Sequence, residues 1–576
     1  MLLFYLKKIR QKGILYMFVK ILNLTKENFC KEKIITACNT ALPTLKSGAF
    51  LLGWMLFLVL LEFLTMFFAK AKPFWNPFMQ ALPHYMLWAS IPFLFGRIAA
   101  RIWIVIAISF ISLVVFVSAF MAAKFNLAFS GDAFFVIFAS SPEEMQEFIS
   151  CFFGGAPLVI FLILLIAAIG VITFLYRRTW DLHLISFLLG ICLLIPIFGK
   201  TIRYIHKKQT YKLYNMTAVN RLFTGAKYFY EQYIDLLDMV KNPAIPEGIK
   251  LTSEKAENIH GIFIIGESSS RRHFELYGYS RRTNPFMSFY KDELFIAKNA
   301  ITAAPSTTQA LKYILTDAEL LKQNPSTFTL VDVCKKAGYK VYLLSNQPRW
   351  GTADSPISMF FTHADDLIYL SEKDPSAYDD SLLEIYDELC KKIKNDKSPS
   401  VIIINLMGSH INHYLRYPKE YAFFNGLRDK ENEKIDEKYK ENVNIYDNTI
   451  RFSDMVIKKF TDRVAAAKNP AFMVYLADHG DAPQDGISEM RAFGTLNPDI
   501  YEVPFIIYFN KQYRNDFPQT VKDVFGAVSR PLQTDRIMHG LLRLYQITYK
   551  DFPNEEDFFS AQFKEKKRII GINKEY

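Results

Sequence analysis

The chain has 576 residues, of which 51% are hydrophobic and 15% aromatic, and its formal net charge is +11. The basic excess lies in residues 1–208, which hold 20 of the 68 Lys and Arg residues but only 8 of the 57 Asp and Glu residues. The apolar content excludes intrinsic disorder. Because the basic excess coincides with the most hydrophobic region, it also argues against a nucleic-acid-binding protein.

The N-terminal third contains five apolar segments that we predict to be transmembrane helices, since a span needs about 20 apolar residues. They cover residues 48–69, 82–95, 102–123, 156–176 and 184–199. The first span contains one charge, Glu62, which either pairs within the helix bundle or is a functional intramembrane acid. The basic, amphipathic segment at 1–24 shows no cleavage site, so we expect an interfacial helix rather than a signal peptide.

Basic residues in the short loops predict a cytoplasmic N-terminus by the positive-inside rule. Nine of them precede the first span, whereas the outer loops hold only Lys70, Lys72 and Lys124. The basic run at 200–208 opposes this orientation, but the first span usually dominates. Five spans then place everything after about residue 205 in the periplasm.

We therefore predict three regions along the chain. A membrane domain occupies 1–208, a connecting helix or linker 209–245, and a periplasmic catalytic domain 246–576. The linker ends in a proline-rich stretch that stops helices. Cys334 and Cys390 lie in the soluble region, where an oxidising compartment permits a disulfide that their spacing does not require.

Short apolar runs alternate with helical patterns in the soluble region and predict an α/β domain with a mostly parallel sheet. The predicted strands are 261–265, 340–344, 401–406, 471–476 and 503–509. Ligands in open α/β sheets bind beyond the carboxyl ends of the strands. Four of these strands are followed by polar clusters that we expect to converge on an active site: Gly266-Glu267, Ser345-Asn346-Gln347, Gly408-Ser409-His410 and Asp478-His479-Gly480.

Glu267, Asp478 and His479 supply two carboxylates and an imidazole, a donor set that suits zinc, with manganese as the second choice. The segment around Ser306 and Thr307 places hydroxyls at a loop-to-helix junction. There they either cap the helix or provide a nucleophile at an N-terminus suited to phosphate, and both roles are compatible.

Residues 266–271 (Gly-Glu-Ser-Ser-Ser-Arg), continuing through His273, 276–279 (Leu-Tyr-Gly-Tyr) and 282–285 (Arg-Thr-Asn-Pro), closely resemble the signature of bacterial phosphoethanolamine transferases. Members of this family have five transmembrane helices and a periplasmic domain of the alkaline-phosphatase/sulfatase type. The resemblance implies an inner-membrane enzyme that takes phosphoethanolamine from phosphatidylethanolamine through a covalent phosphothreonine. The acceptor would be lipopolysaccharide or another surface glycan.

The resemblance also implies roles for individual positions. Glu267, Thr307, Asp478 and His479 match its zinc ligands, and His410 matches a histidine that contacts phosphate. Thr307 is the nucleophile by register, with Thr308 as the alternative. Three further positions match substrate-binding segments: Ser140 and Glu144 in an outer loop, and Asn346.

The chain departs from the members that modify lipid A, because residues 487–495 contain no histidine and the cysteine pairs of that group are missing. This favours core oligosaccharide or another glycan as the acceptor. A phosphoglycerol transferase or a sulfatase-like hydrolase would share the fold, but we find no CxPxR-type sulfatase motif. A third possibility is a receptor or scaffold with a decayed metal site. We expect a monomer without nucleic-acid partners.

Overall fold

The computed structural model describes residues 31–68, 75–125, 146, 155–207, 217–322, 326–348, 356–374, 376–393, 398–426, 435–485, 496–571 and 574–576. The chain divides into two compact units. The first comprises Met1–Phe67, Ala71–Val117 and Phe161–Val219, and the second comprises Phe68–Lys70, Ser118–Ile160 and Asn220–Tyr576. The predicted domain boundaries near 208 and 245 stay predictions.

The described residues of the N-terminal region are mostly helical, and the described parts of all five predicted spans fall on helices. These are α1 Lys31–Phe68, α2 Trp75–Trp103, a π-helical turn Ile104–Ile108, α3 Ser109–Phe125, α4 Gly155–Tyr176 and α5 Leu184–Lys207. In the described residues, three stretches are long and apolar enough to cross a membrane, judged by length and composition: Ile35–Thr65, His84–Ala122 and Leu158–Tyr176.

The second and third predicted spans run together within His84–Ala122. The helical path is interrupted at Gly96, whose φ of 78° and ψ of −165° are not helical. The fifth predicted span corresponds to a shorter apolar helix, Leu184–Ile195. The count of five crossings therefore stays a prediction, because a helix that is interrupted at a glycine can be counted as one long span or as two short spans.

Glu62 is buried in α1 and is hydrogen-bonded within the helical unit. Its carboxylate accepts a bond from the Tyr85 hydroxyl at 2.5 Å and another from the backbone N–H of Ala218. A carboxylate in an apolar bundle needs such donors, so these contacts fit the pairing role, which is one of the two roles considered for Glu62.

A seven-stranded sheet forms the centre of the C-terminal unit. Its strands are β1 His260–Gly266, β2 Phe295–Ile296, β3 Lys340–Ser345, β4 Asp366–Tyr369, β5 Ser400–Asn405, β6 Ala471–Ala477 and β7 Phe505–Phe509. They lie in the order β2–β7–β6–β1–β5–β3–β4. The four pairings from β6 to β4 are parallel, while β7 pairs antiparallel with both β6 and β2. The predicted mostly parallel sheet is confirmed.

Helices and short strand pairs surround this sheet. The helices are α6 Ala218–Lys241, α7 Thr307–Leu315, α8 Leu330–Lys336, α9 Pro356–Met359, α10 Leu382–Ile393, α11 Lys440–Ala466, α12 Pro498–Tyr501, α13 Lys511–Asp516, α14 Pro518–Gly526 and α15 Met538–Leu544. Three two-residue pairs complete the unit: Lys250–Leu251 with Ile547–Thr548, Ala300–Ile301 with Leu532–Gln533, and Ile569–Ile570 with Lys574–Glu575.

The strands are buried on both faces, because alternate side chains enter two different cores. Phe263 and Ile265 pack into one apolar cluster, and Ile262 and Ile264 pack into the other. Two cysteines separate in the same way: Cys334 lies in the first cluster and Cys390 packs against the second. Both are free thiols, so the disulfide that the compartment would permit is not formed.

Helix α11 holds the loop that follows β1 through a buried carboxylate, Asp447. The Asp447 carboxylate lies 2.7 Å from His273 Nδ1 and accepts bonds from the Tyr279 hydroxyl at 2.9 Å and from Arg281 Nη1 at 2.8 Å. Burial lowers the pKa of His273, but the adjacent Asp447 outweighs burial, and the net pKa is raised. This part of the 266–285 motif is therefore scaffold, which fixes the loop against α11.

Removing this carboxylate should be costly. We expect Asp447→Ala to lower the free energy of unfolding by about 3–5 kcal/mol, because it removes the buried carboxylate that pairs with the Arg281 cation. Asp462→Ala on the same helix is the matched control. Its carboxylate is 39% exposed beside Lys458, so a cost of about 1 kcal/mol or less is expected. Thermal melting of both variants checks the difference, and equal midpoints would contradict it.

Candidate active site

Four strand ends meet at one edge of the sheet. The register pairs Gly266 of β1 with Ala477 of β6, and pairs Asn405 of β5 with Ser345 of β3. Because these strands are parallel, the residues that follow them emerge side by side. The polar clusters predicted to converge are thus brought to one place.

Glu267, Asp478 and His479 form a buried cluster with the composition of a metal site. One ligand atom from each lies within 4.8 Å of the others. His479 Nε2 is 3.4 Å from Glu267 Oε1 and 3.5 Å from Asp478 Oδ2. Its Nδ1 is 2.9 Å from the Gly480 carbonyl oxygen. Since a carbonyl only accepts, Nδ1 carries the proton and Nε2 presents its lone pair to the cluster.

The electrostatics of this cluster favour a cation. Burial raises the pKa of Glu267, but the His479 and His410 rings and the Ser268 hydroxyl outweigh burial, and the net pKa is lowered. Glu267 and Asp478 are 1% and 0% exposed. Two buried carboxylates facing one imidazole lone pair need a positive charge between them. The oxygen, oxygen and nitrogen donors therefore fit a divalent cation such as zinc.

Thr307 reaches this cluster from the first turn of α7. Its Oγ1 donates to Glu267 Oε2 at 3.0 Å and lies 3.5 Å from His479 Nε2. The N-cap is Ser306, whose buried hydroxyl makes no hydrogen bond to the described residues. The helix N-terminus adds partial positive charge where a phosphate would bind. Thr307, rather than its neighbour Thr308, is the threonine seen in contact with the cluster.

Gln347 lies in one of the polar clusters predicted to converge on the site, but no individual role was predicted for it. Its Nε2 donates to Glu267 Oε2 at 2.9 Å and to the Leu406 carbonyl at 3.0 Å. Asn346, the predicted substrate contact, instead donates to Asp379 at 2.9 Å and to the Ala377 carbonyl. The Ser-Asn-Gln motif after β3 was the available signal, but it did not tell which amide faces the cluster.

His410 and His413 lie on the loop after β5. Burial lowers the pKa of His410 to about 4 despite the opposing charge of Glu267, so the ring is neutral at neutral pH. His413 was not predicted. Its Nε2 is 3.2 Å from Asp481 Oδ2, and its Nδ1 is 3.3 Å from the His410 carbonyl oxygen. A histidine three residues after His410 was the signal for this second ring.

Four predicted features lie outside the described residues. They are the interfacial helix at 1–24, the expected lipid head-group contacts Ser140 and Glu144, and the histidine-free segment at 487–495. They stay predictions.

Gly408 is required by its close approach to Glu267. A Cβ at Gly408 would lie 2.9 Å from the Glu267 carbonyl oxygen and 3.0 Å from its nitrogen, and the φ of Gly408 is +49°. Backbone atoms cannot give way as a flexible side chain can. The small residue therefore fixes the position of Glu267.

We expect Gly408→Ala to lower the turnover rate by roughly 100-fold, because displacing a site residue by about 1 Å has effects of that size. Gly426→Ala is the matched control. Its φ is +62°, and a Cβ there meets no described atom within 4 Å. This control should carry the backbone strain but leave turnover nearly unchanged. Steady-state rates for both variants check the prediction, and similar losses would contradict it.

Known proteins resemble this chain in sequence and in fold. A model of the sulfatase family matches residues 260–547. The chain is 26% identical over 531 residues to the phosphoethanolamine transferase EptC of Escherichia coli, covering 86% of this chain and 89% of the relative. The zinc complex of the C-terminal periplasmic domain of EptC from Escherichia coli is also similar, with a TM-score of 0.51 and 26% identity. The match covers 57% of this chain and 94% of that domain.

A solved integral membrane protein shares the fold over most of the chain. The lipooligosaccharide phosphoethanolamine transferase A of Neisseria meningitidis matches with a TM-score of 0.62, covering 88% of this chain and 98% of that one. At 16% identity the likeness shows the fold alone. The predicted combination of a membrane-helical N-terminal region and a sulfatase-type C-terminal domain is thereby confirmed.

Proposed function

The chain belongs to the sulfatase family, and we propose that it is a phosphoethanolamine transferase of a Gram-negative inner membrane, with its catalytic domain in the periplasm. It takes the head group of phosphatidylethanolamine and passes it to lipopolysaccharide or another surface glycan. The observation that carries this proposal is the contact of the Thr307 hydroxyl with Glu267 and His479. The named activity of EptC, a relative along most of the chain, supports it.

Zinc is the cofactor that we propose for the site. Glu267, Asp478 and His479 would hold it, with the Thr307 oxygen as the remaining ligand. When bound, the ion supplies positive charge that favours loss of the Thr307 proton and neutralises charge on the phosphate. The zinc complex of the EptC domain supports this choice over manganese.

The first half-reaction uses Thr307 as the nucleophile. Its Oγ1 loses a proton and forms a bond to phosphorus, and the bond between phosphorus and the glycerol oxygen breaks. The glycerol oxygen takes up a proton, so diacylglycerol leaves and phosphoethanolamine stays on Thr307. Neutral His410 suits a hydrogen bond from its ring to a phosphate oxygen. Positioning and charge neutralisation carry most of the rate in phosphoryl transfer.

The second half-reaction regenerates the enzyme. A hydroxyl or phosphate oxygen of the acceptor forms a bond to phosphorus, the bond to Thr307 Oγ1 breaks, and the threonine oxygen regains a proton. The N-terminal helices hold the catalytic domain at the membrane that contains the lipid donor. Ser140 and Glu144 are proposed to contact the donor head group.

Mass spectrometry of the purified full chain tests this proposal. After incubation with phosphatidylethanolamine, we expect one phosphoethanolamine group on the peptide that carries Thr307 and an equal amount of diacylglycerol. A parallel incubation with phosphatidylglycerol addresses the phosphoglycerol transferase alternative and should give no adduct. An adduct from phosphatidylglycerol alone, or no adduct from either lipid, would overturn the proposal.

A further inference from the structure

The C-terminal unit contains a basic cleft that shares no residue with the Glu267 cluster. The volume of the cleft, including the part that is open to solvent, is about 320 Å³. The charged groups of the basic cleft are four cations and two carboxylates: Arg536, Lys566, Lys567, Arg568, Glu319 and Asp535. The balance of charge on its walls is therefore positive, which favours an anionic ligand.

Arg536 offers a buried donor to this cleft. The residue is 6% exposed, and its Nη1 donates to the Lys564 carbonyl at 3.2 Å. Its Nη2 is buried and makes no hydrogen bond with any described residue; Glu319 Oε2 is 3.6 Å away. Nη2 thus has an ion-pair partner but no hydrogen bond. Buried guanidinium groups are normally hydrogen-bonded, so this nitrogen beside the cleft indicates a place for an acceptor atom.

Asp535 offers a buried acceptor next to this donor. Its Oδ2 accepts from the Leu320 backbone N–H at 3.0 Å. Its Oδ1 is buried and has no hydrogen-bond partner among the described residues. Burial raises the pKa of Asp535 to about 6. A carboxyl oxygen without a hydrogen bond, on the residue that precedes Arg536, suits a ligand that presents a hydroxyl next to an anionic group.

The remaining carboxylate of the cleft is already neutralised. Glu319 accepts from Lys566 at 2.9 Å and is paired with Lys322. Lys567 pairs with Glu575 at 3.1 Å, but the two side chains are 72% and 59% exposed, so this ion pair contributes little. Lys567 and Arg568 thus leave positive charge on the walls of the cleft.

The strand next to the cleft is hydrogen-bonded to the segment that leads to Thr307. Leu532–Gln533 pairs with Ala300–Ile301. The Thr534 hydroxyl accepts from the Ala303 N–H at 2.9 Å, and Gln533 donates to the Thr302 carbonyl. One short strand therefore supports both the cleft wall and the chain four residues before the threonine. This continuity links the cleft to the reacting site.

We propose that the basic cleft binds an anionic carbohydrate, a sugar phosphate or sugar acid, with its anionic group on Arg536, Lys567 and Arg568 and a hydroxyl on Asp535. The physiological ligand would be an anionic sugar of the acceptor glycan, and this identification rests on the proposed function. The binding chemistry itself rests on the cleft alone.

Isothermal titration of the full chain in detergent tests the binding. The probes are glucose 6-phosphate, glucose and inorganic phosphate. We expect glucose 6-phosphate to bind roughly tenfold or more tightly than either of the others, and to weaken as salt is added. If inorganic phosphate binds as tightly as glucose 6-phosphate, the cleft does not recognise a sugar and the proposal is wrong. Absence of glucose 6-phosphate binding would also overturn it.

Two variants and one control locate the site. Arg536→Gln should weaken glucose 6-phosphate binding roughly tenfold or more, and the exposed Lys567→Gln roughly threefold. Lys567→Gln cannot disturb the core, so it keeps the test decisive if Arg536→Gln melts early. Lys550→Gln is the control: its cation is 66% exposed and is absent from the cleft walls. Unchanged affinity in both cleft variants would overturn the assignment.

Measuring the two half-reactions separately distinguishes a failure of this inference from a failure of the proposed function. Both cleft variants should form the Thr307 adduct at the rate of the unmodified chain and pass the group more slowly to purified lipopolysaccharide. If the unmodified chain forms no adduct, the proposed function is wrong. If both variants form the adduct and transfer the group at normal rates, the cleft is not the acceptor site.

Discussion

Thr307→Ala should abolish the covalent adduct and lower diacylglycerol release by roughly 10⁴-fold or more. Removing an enzyme's nucleophile has effects of this size, because the residual rate comes from binding and electrostatics alone. Thr307 lies at the start of a helix, and its hydroxyl donates a hydrogen bond to Glu267 at 3.0 Å. No rearrangement is needed to bring it to the site. Initial rates of diacylglycerol release, with intact-protein mass spectrometry, measure both losses.

Thr308→Ala is the matched control for this prediction. Thr308 is the next residue of the same helical turn and is equally buried, so its replacement tests the effect of losing a threonine there. We expect its activity to stay within about tenfold of the unmodified chain, in line with a packing change. Thr307→Ser keeps a hydroxyl and should restore part of the activity. Full activity in Thr307→Ala with loss in Thr308→Ala would reverse the assignment.

The sheet was largely predictable because its strands are buried on both faces. β1, β3, β5, β6 and β7 are continuous apolar runs with polar residues at their ends, and each lies within or overlaps a predicted strand. The two strands that were missed are β2, with two residues, and β4, with four. Such short segments contain too few residues for a periodic pattern and are strands only because a neighbour pairs with them.

The site was predictable to the extent that it follows strand ends. Glu267, Asp478 and His479 directly follow β1 and β6, so parallel pairing alone brings them together. The contacts of Gln347 and His413 depend on how the loops fold after β3 and β5. No sequence pattern fixes those loop conformations. This is why Asn346 rather than Gln347 was predicted as the substrate contact, although both belong to a cluster expected at the site.

The motif from 266 to 285 combines two physical tasks. Its first acidic residue, Glu267, lies in the reactive cluster, while His273, Tyr279 and Arg281 bind the buried Asp447 of α11. Asn284 makes a similar tie to Asp454 on the same helix at 3.1 Å. A motif that looks like one catalytic signature is thus a reactive residue followed by the anchor of its loop. The two tasks should separate experimentally into activity and stability.

Removing the metal should lower both activity and stability in the unmodified chain. Without a cation, Glu267 and Asp478 face each other in a buried pocket, which is electrostatically unfavourable. A ligand at about 1,000 times its dissociation constant stabilises a fold by about 4 kcal/mol. We therefore expect a chelator to lower the melting midpoint by several degrees and to remove donor turnover. Added zinc should restore both, with metal content followed by elemental analysis.

Glu267→Gln makes this prediction specific to the cluster. The amide keeps the size of the side chain but removes one negative charge, so the variant should lose most of its bound metal and more than about 1,000-fold of its turnover. Its melting midpoint should then be insensitive to the chelator, because the repulsion that the metal relieves is already reduced. The exposed Glu257→Gln should behave like the unmodified chain in every measurement. A chelator response in Glu267→Gln equal to that of the unmodified chain would place the metal elsewhere in the protein.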